Sequence, residues 1–107
     1  MVQHIKGNEL EKLIASSDKT VYCDFWANWC GPCKMLAPVF EALSEEYADK
    51  AVFVKVDVDE DENQAVAMKY RISSIPNIIA FKAGAPVGNS VGFVPEAMLK
   101  AFVEKYL

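Results

Sequence analysis

Residues 20–34, "TVYCDFWANWCGPCK", contain the sharpest change of pattern in this chain. The segment from Thr20 to Trp26 is rich in β-branched and aromatic residues, which is typical of a buried strand. Pro32 suits the first turn of a helix, where its missing N–H leaves no hydrogen bond unmade. The stretch therefore predicts a strand that passes into a helix, with Cys30 and Cys33 at the junction.

On both sides of this junction the chain alternates between strand-like and helical patterns. Upstream we expect a short strand and then a helix capped by Asn8. Downstream, residues 51–58 are apolar on both faces, as in the centre of a sheet covered by helices. The remaining predicted elements are the helix from Pro32 to about Ala48, a helical segment at 59–70, a hairpin at 77–93 and a last helix opened by Pro95 and Glu96.

The predicted order β-α-β-α-β-α-β-β-α indicates the α/β class. Strands that alternate with helices pair in parallel through right-handed crossovers, and the final hairpin adds antiparallel strands. We expect three layers, a central mixed β-sheet flanked by helices on both faces. A length of 107 residues predicts a single domain, 1–107. The cysteine pair falls where a strand ends and a helix begins, the usual place for sites in open α/β folds.

Composition narrows the classes of function. The net charge of −4 argues against a nucleic-acid partner, which would need a basic face. No apolar run approaches the roughly 20 residues of a membrane span, and the N-terminus lacks the apolar core of a signal peptide. We therefore expect a cytoplasmic protein without a membrane partner. In that compartment a close cysteine pair is more often catalytic or metal-binding than structural.

The pair at Cys30 and Cys33 has three possible explanations. A zinc site needs four ligands, and beyond the pair the chain offers only Cys23 and His4 as soft ligands, in separate predicted strands. A structural disulfide across so short a loop would constrain the unfolded chain little. A bond that forms and breaks repeatedly fits this spacing better, so we expect a redox couple and no metal.

The position of the pair predicts different roles for its two thiols. A thiol attacks only as thiolate, and the positive end of a helix lowers the pKa of a cysteine placed there. Cys30 should therefore attack a substrate disulfide, and Cys33, less exposed and one turn further in, should resolve the mixed disulfide. Gly31 and Pro32 should tune the redox poise. Trp29 offers a flat apolar surface for a docking polypeptide.

With "WCGPCK" at a strand-to-helix junction, the chain resembles the thioredoxin family over essentially its whole length. The matching segments are "DFWANWCGPCKMLAP" (24–38), "KVDVDE" (55–60), "YRISSIPN" (70–77), "FKAG" (81–84) and "VGF" (91–93). The resemblance implies the thioredoxin fold and a protein thiol-disulfide oxidoreductase that reduces disulfides in other proteins. Two departures are Asn77, where threonine is common, and the extra thiol of Cys23.

Two charged residues stand inside apolar strands. The position of Asp24 alone allows two interpretations and favours neither: a proton acceptor for Cys33, or a solvated carboxylate at a strand end. The resemblance implies a buried carboxyl behind the cysteines, in the first of these roles. Lys55 either lies near Asp24 and modulates its charge or extends its ammonium to the surface.

The resemblance also implies a substrate groove. In the family the proline equivalent to Pro76 is preceded by a cis peptide bond and faces the cysteines. The backbone of Ile75 would then pair with an extended substrate segment. We expect Gly92 to complete the groove with Trp29, although an ordinary turn glycine is the alternative.

The family implies no bound cofactor, with electrons arriving from NADPH through thioredoxin reductase. Implied acceptors are peroxiredoxins, methionine sulfoxide reductase and ribonucleotide reductase, served by a monomer. One alternative is an oxidant or isomerase of an oxidising compartment, against which Gly31-Pro32 and the missing signal peptide argue. The other is a non-catalytic binding or clamp module of a larger complex.

Overall fold

The computed structural model describes residues 2–107. The elements in chain order are β1 Gln3–His4, α1 Gly7–Ser16, β2 Thr20–Trp26, α2 Gly31–Glu46, β3 Ala51–Asp57, a 3₁₀ turn Asp61–Asn63, α3 Gln64–Lys69, β4 Asn77–Lys82, β5 Ala85–Val91 and α4 Glu96–Tyr106. This order confirms the predicted alternation of strands and helices. Within the described residues no helix is both long and apolar enough to cross a membrane.

The five strands form one mixed sheet in the order β1-β3-β2-β4-β5. β1, β3 and β2 run parallel, and β4 and β5 pair antiparallel to their neighbours. β2 is therefore the central strand, paired along its length with β3 and over most of it with β4. The predicted α/β class with a mixed sheet is confirmed.

The sheet separates two hydrophobic cores. One core packs Tyr22 and neighbouring strand residues against Phe40 of α2 and Leu99 of α4. The other packs Phe25 and its neighbours on the opposite face, with Leu10 of α1 among them. Because successive residues of a strand point to opposite faces, the residues of β2 are divided between the two cores.

The start of α1 differs from the prediction. Asn8 lies inside the helix and is exposed, and Lys6 takes the N-cap position. The Gly7 N–H donates to Asn63 Oδ1 at 2.7 Å, and the Lys6 N–H donates to Glu9 Oε1 at 3.0 Å. The prediction that Asn8 caps this helix was therefore wrong. The helix begins two residues earlier, where the side chain of the distant Asn63 accepts a hydrogen bond from its first residue.

The predicted helical segment at 59–70 is only partly α-helix, because Asp61–Asn63 form a 3₁₀ turn before α3. α3 ends with Arg71 in the left-handed region, at φ 56°. The Ile72 N–H donates to Ala67 O at 2.9 Å and the Arg71 N–H to Met68 O at 3.1 Å, a Schellman closure in which glycine is the usual residue.

Candidate active site

Cys30 and Cys33 form a disulfide at the junction of β2 and α2, with their Cα atoms 5.2 Å apart. Cys30 is the N-cap of α2, and its Sγ accepts a hydrogen bond from the Cys33 N–H at 3.2 Å. Both side chains are buried, so the predicted difference in exposure between Cys30 and Cys33 is small. What separates the two thiols is the helix end, where N–H groups and the helix dipole favour negative charge on Cys30.

A loop from the opposite side of the sheet meets the disulfide. The Ile75–Pro76 peptide bond is cis, and Cys30 Sγ lies 3.8 Å from the Ile75 carbonyl oxygen. The Gly92 N–H donates to Pro76 O at 2.7 Å. Gly92 has φ 84°, a conformation that favours glycine. The residue is therefore a turn glycine and also contacts Pro76, so the two roles considered for it do not exclude each other. The structure thus brings Cys30, Ile75, Pro76 and Gly92 to one place.

Trp29 stands beside this place with 70% of its surface exposed. Its indole N–H donates to Asp59 Oδ2 at 2.7 Å, and the Asp59 N–H donates to Asp57 Oδ1 at 2.9 Å. Gly31 and Pro32, at the start of α2, are also exposed. Asp59 was not among the residues predicted for the site. Its only signal was a place in the acidic run after β3, at the sheet edge where β2 also ends.

Asp24 lies on β2 with no exposed surface. Neither carboxylate oxygen has a hydrogen-bond partner among residues 2–107. Burial raises the pKa of this carboxyl from 3.8 to about 6, while the positive charge of Lys55 acts in the opposite direction. A carboxyl with such a pKa can gain or lose a proton close to neutral pH.

Lys55 is the direct register partner of Asp24 on β3, so the two side chains leave the same face of the sheet. Lys55 is 9% exposed, so most of its side chain is buried. Its Nζ lies 4.6 Å from the ring centroid of Trp26, a cation–π contact. The ion pairs found within residues 2–107 do not join Lys55 to Asp24, so its charge acts on the carboxyl without direct contact.

The other two soft ligands lie apart from the pair. Cys23 is fully buried among residues of the second core, and burial raises the pKa of its thiol. His4 is exposed on β1, with its ring 5.5 Å from that of Trp26. In the described part of the chain, no group of three or more His, Cys, Asp or Glu side chains could hold a metal ion.

Comparison with known proteins gives one consistent result. The family model described as Thioredoxin matches residues 1–105. A thioredoxin of Bacillus subtilis (strain 168) is 47% identical over 103 residues, covering 96% of this chain and 97% of that protein. A thioredoxin of Staphylococcus epidermidis is also 47% identical over 103 residues, covering 96% and 95%. A thioredoxin of Staphylococcus aureus (strain Mu50) is 52% identical over 84 residues, covering 78% and 79%.

Proposed function

The chain belongs to the thioredoxin family, and from that premise we propose how its two cysteines divide the reduction of protein disulfides. Membership makes the protein a thiol-disulfide oxidoreductase that works with its own cysteine pair and no bound cofactor. Thioredoxin reductase supplies its electrons, and disulfide-containing proteins receive them. The division of roles rests on one observation, the hydrogen bond from the Cys33 N–H to Cys30 Sγ at the N-terminus of α2.

In the proposed cycle Cys30 attacks first, as a thiolate. A bond forms between Cys30 Sγ and one substrate sulfur, and the other substrate sulfur leaves as a thiolate that takes up a proton. Cys33 then loses its proton and attacks Cys30 Sγ. The Cys30–Cys33 disulfide forms, the second substrate sulfur leaves as a thiolate that takes up a proton, and two electrons have passed to the substrate.

Asp24 is the proposed acceptor of the Cys33 proton. Its burial raises the pKa to about 6, and its oxygens have no partner among residues 2–107, so the carboxylate is an available base. Lys55 tunes this base by favouring the charged form. We expect Asp24→Asn to slow resolution of the mixed disulfide with the fold intact; an unchanged rate would remove Asp24 from the mechanism.

The substrate would bind as an extended segment beside the Ile75 backbone. The proposed docking face consists of Trp29, Gly31, Pro32, Ile75, Pro76 and Gly92. Recognition through backbone atoms depends little on side chains, which fits several acceptors. We propose peroxiredoxins, methionine sulfoxide reductase and ribonucleotide reductase, served in the cytoplasm by a monomeric single domain, 1–107.

The roles of the two thiols are tested by trapping. Cys33→Ser cannot resolve, so it should accumulate a mixed disulfide through Cys30 when mixed with an oxidised protein substrate. Cys30→Ser is the matched variant and should accumulate little at neutral pH. Mass spectrometry of the non-reduced adduct identifies the linked cysteine. Equal or greater trapping by Cys30→Ser would reverse the assignment.

The direction of electron flow is tested by a redox titration of the pair, followed by the fluorescence of Trp26 and Trp29. A reductase should have a potential well below the roughly −180 mV of protein disulfide isomerase. A potential at or above that value would assign the protein to disulfide formation instead.

A further inference from the structure

A groove of about 450 Å³ lies on the face of the sheet opposite Asp24, between the end of α3 and β5. Asn77 and Ile79 of β4 are the register partners of Phe25 and Cys23, which places the groove on the face of the second core. Its volume falls within the roughly 300–1,000 Å³ of small-molecule sites. The groove is separate from the cysteine pair.

The charge of the groove is opposite to that of the protein. Lys69 and Arg71 line it and no carboxylate does, although the chain has 15 acidic and 11 basic residues. Lys69 is already bonded to Glu11 at 2.7 Å and lies over the ring of Tyr70. Arg71 belongs to none of the ion pairs found in residues 2–107. Its guanidinium is therefore available for an external anion.

The backbone of Arg71 makes this side chain unexpected. The residue has φ 56°, and the two hydrogen bonds that close α3 are made by main-chain atoms alone. Glycine would make the same bonds without the steric cost of a Cβ in the left-handed region. Helix capping therefore does not account for an arginine at this position.

Asn77 supplies an independent observation. The residue lines the groove and is only 6% exposed. Its Oδ1 is buried with no hydrogen-bond partner among residues 2–107. Buried amide oxygens are nearly always paired. Oδ1 itself is closed to solvent, so the amide must turn toward the groove before an N–H or O–H group of a ligand can become its missing partner.

We propose that this groove binds a small organic anion about the size of a mononucleotide. Its phosphate or carboxylate binds the Arg71 guanidinium, which matches two anionic oxygens at once. Its N–H or O–H group binds the Asn77 amide, and its ring lies against Ile79 and Pro86, the apolar part of the lining. Binding needs no redox step and does not depend on the roles of the cysteines.

The test is an NMR titration of the ¹⁵N-labelled oxidised protein with AMP. AMP should shift the backbone amides of Arg71, Asn77 and Asn89 in a saturable way. Adenosine lacks the anion and inorganic phosphate lacks the ring, so each should bind at least about tenfold more weakly than AMP. Benzoate provides the carboxylate arm, and the tighter of AMP and benzoate identifies the head group.

Arg71→Gly is the decisive variant, because it removes the guanidinium while relieving the backbone. It should bind the anion about tenfold more weakly and keep full disulfide reductase activity. Lys50→Gln removes one exposed positive charge elsewhere and should bind as the unmodified protein does. Asn77→Thr should also weaken binding. The proposal is wrong if neither AMP nor benzoate shifts the groove amides, if inorganic phosphate binds as tightly as AMP, or if Arg71→Gly binds normally.

Discussion

Asp24 connects the chemistry of the cysteine pair to the stability of the folded chain. Its carboxyl has an ordinary pKa of 3.8 and a folded-state pKa of about 6. Between these pH values the folded state holds a proton that the unfolded state has lost. The stability that this proton contributes is fully present below pH 3.8 and is lost as the pH rises through 6.

Asp24→Asn should therefore stabilise the oxidised protein at pH 8 but not at pH 4. We expect the free energy of unfolding to rise by about 2 kcal/mol at pH 8, since one pKa unit corresponds to about 1.4 kcal/mol and the buried amide keeps part of the desolvation cost. Urea unfolding at the two pH values measures the difference. Asp49→Asn, at an exposed position after α2, should change neither value. Equal gains at both pH values would contradict the linkage.

Lys55→Gln should raise the pKa of Asp24 further, because the lysine charge favours the carboxylate. A ¹³C NMR titration of the Asp24 carboxyl in the oxidised protein measures this pKa directly. Lys12→Gln alters a lysine on the exposed side of α1 and should leave the titration unchanged. A constant Asp24 pKa in Lys55→Gln would mean that the cation is effectively screened.

Single residues could be predicted from the sequence when their type differs from that of their neighbours in the same strand or helix. Asp24 and Lys55 are conspicuous because each is charged within an apolar strand. Asp59 was missed because its contact with Trp29 depends on how the loop after β3 folds back. The cis bond before Pro76 followed only from family resemblance, since most bonds before proline are trans.

Among the elements, α4 is held to the sheet by side chains of β2. The Tyr22 hydroxyl donates to Val103 O in the buried core, and Thr20 Oγ1 donates to Tyr106 O at 2.6 Å. Tyr22→Phe leaves the ring packing in place and removes only the first of these bonds. The free energy of unfolding should fall by about 1–2 kcal/mol, as measured by urea denaturation.

Tyr106→Phe is the matched control for Tyr22→Phe. The hydrogen bonds of residues 2–107 do not include the Tyr106 hydroxyl, so its removal should change stability little. If the two variants lost equal stability, the bond from Tyr22 to α4 would not be the cause.

The strands were easier to predict than the ends of the helices. β2 was predicted with its observed bounds and β3 to within one residue, because runs of β-branched and aromatic residues define central strands locally. The start of α1 depends on a hydrogen bond from Gly7 to Asn63, more than fifty residues away. A pattern confined to a few neighbouring residues contains no information about such a contact.

For the whole molecule, stability should depend little on salt. The ion pairs of the described residues are Lys6–Glu62, Lys69–Glu11 and Lys100–Glu46, all with substantially exposed side chains. Exposed pairs contribute roughly 0–1 kcal/mol each, and added salt also weakens the repulsion within a chain of net charge −4. Between about 0.05 and 0.5 M NaCl the free energy of unfolding should change by less than about 1 kcal/mol. Urea denaturation at pH 7 measures this, and a change clearly above about 1 kcal/mol would contradict it.

Because Cys23 is buried, the reactivity of its thiol reports how often the native protein opens. Once the pair at Cys30 and Cys33 is closed, the only free thiol lies in the core and cannot meet a reagent until the packing over it opens. When a thiol probe is concentrated enough for labelling to outpace reclosing, the rate at which it reacts with the oxidised protein equals the rate of opening. Cys23, which has no part in the proposed electron transfer, thus provides a probe of how often the fold that holds the redox pair opens.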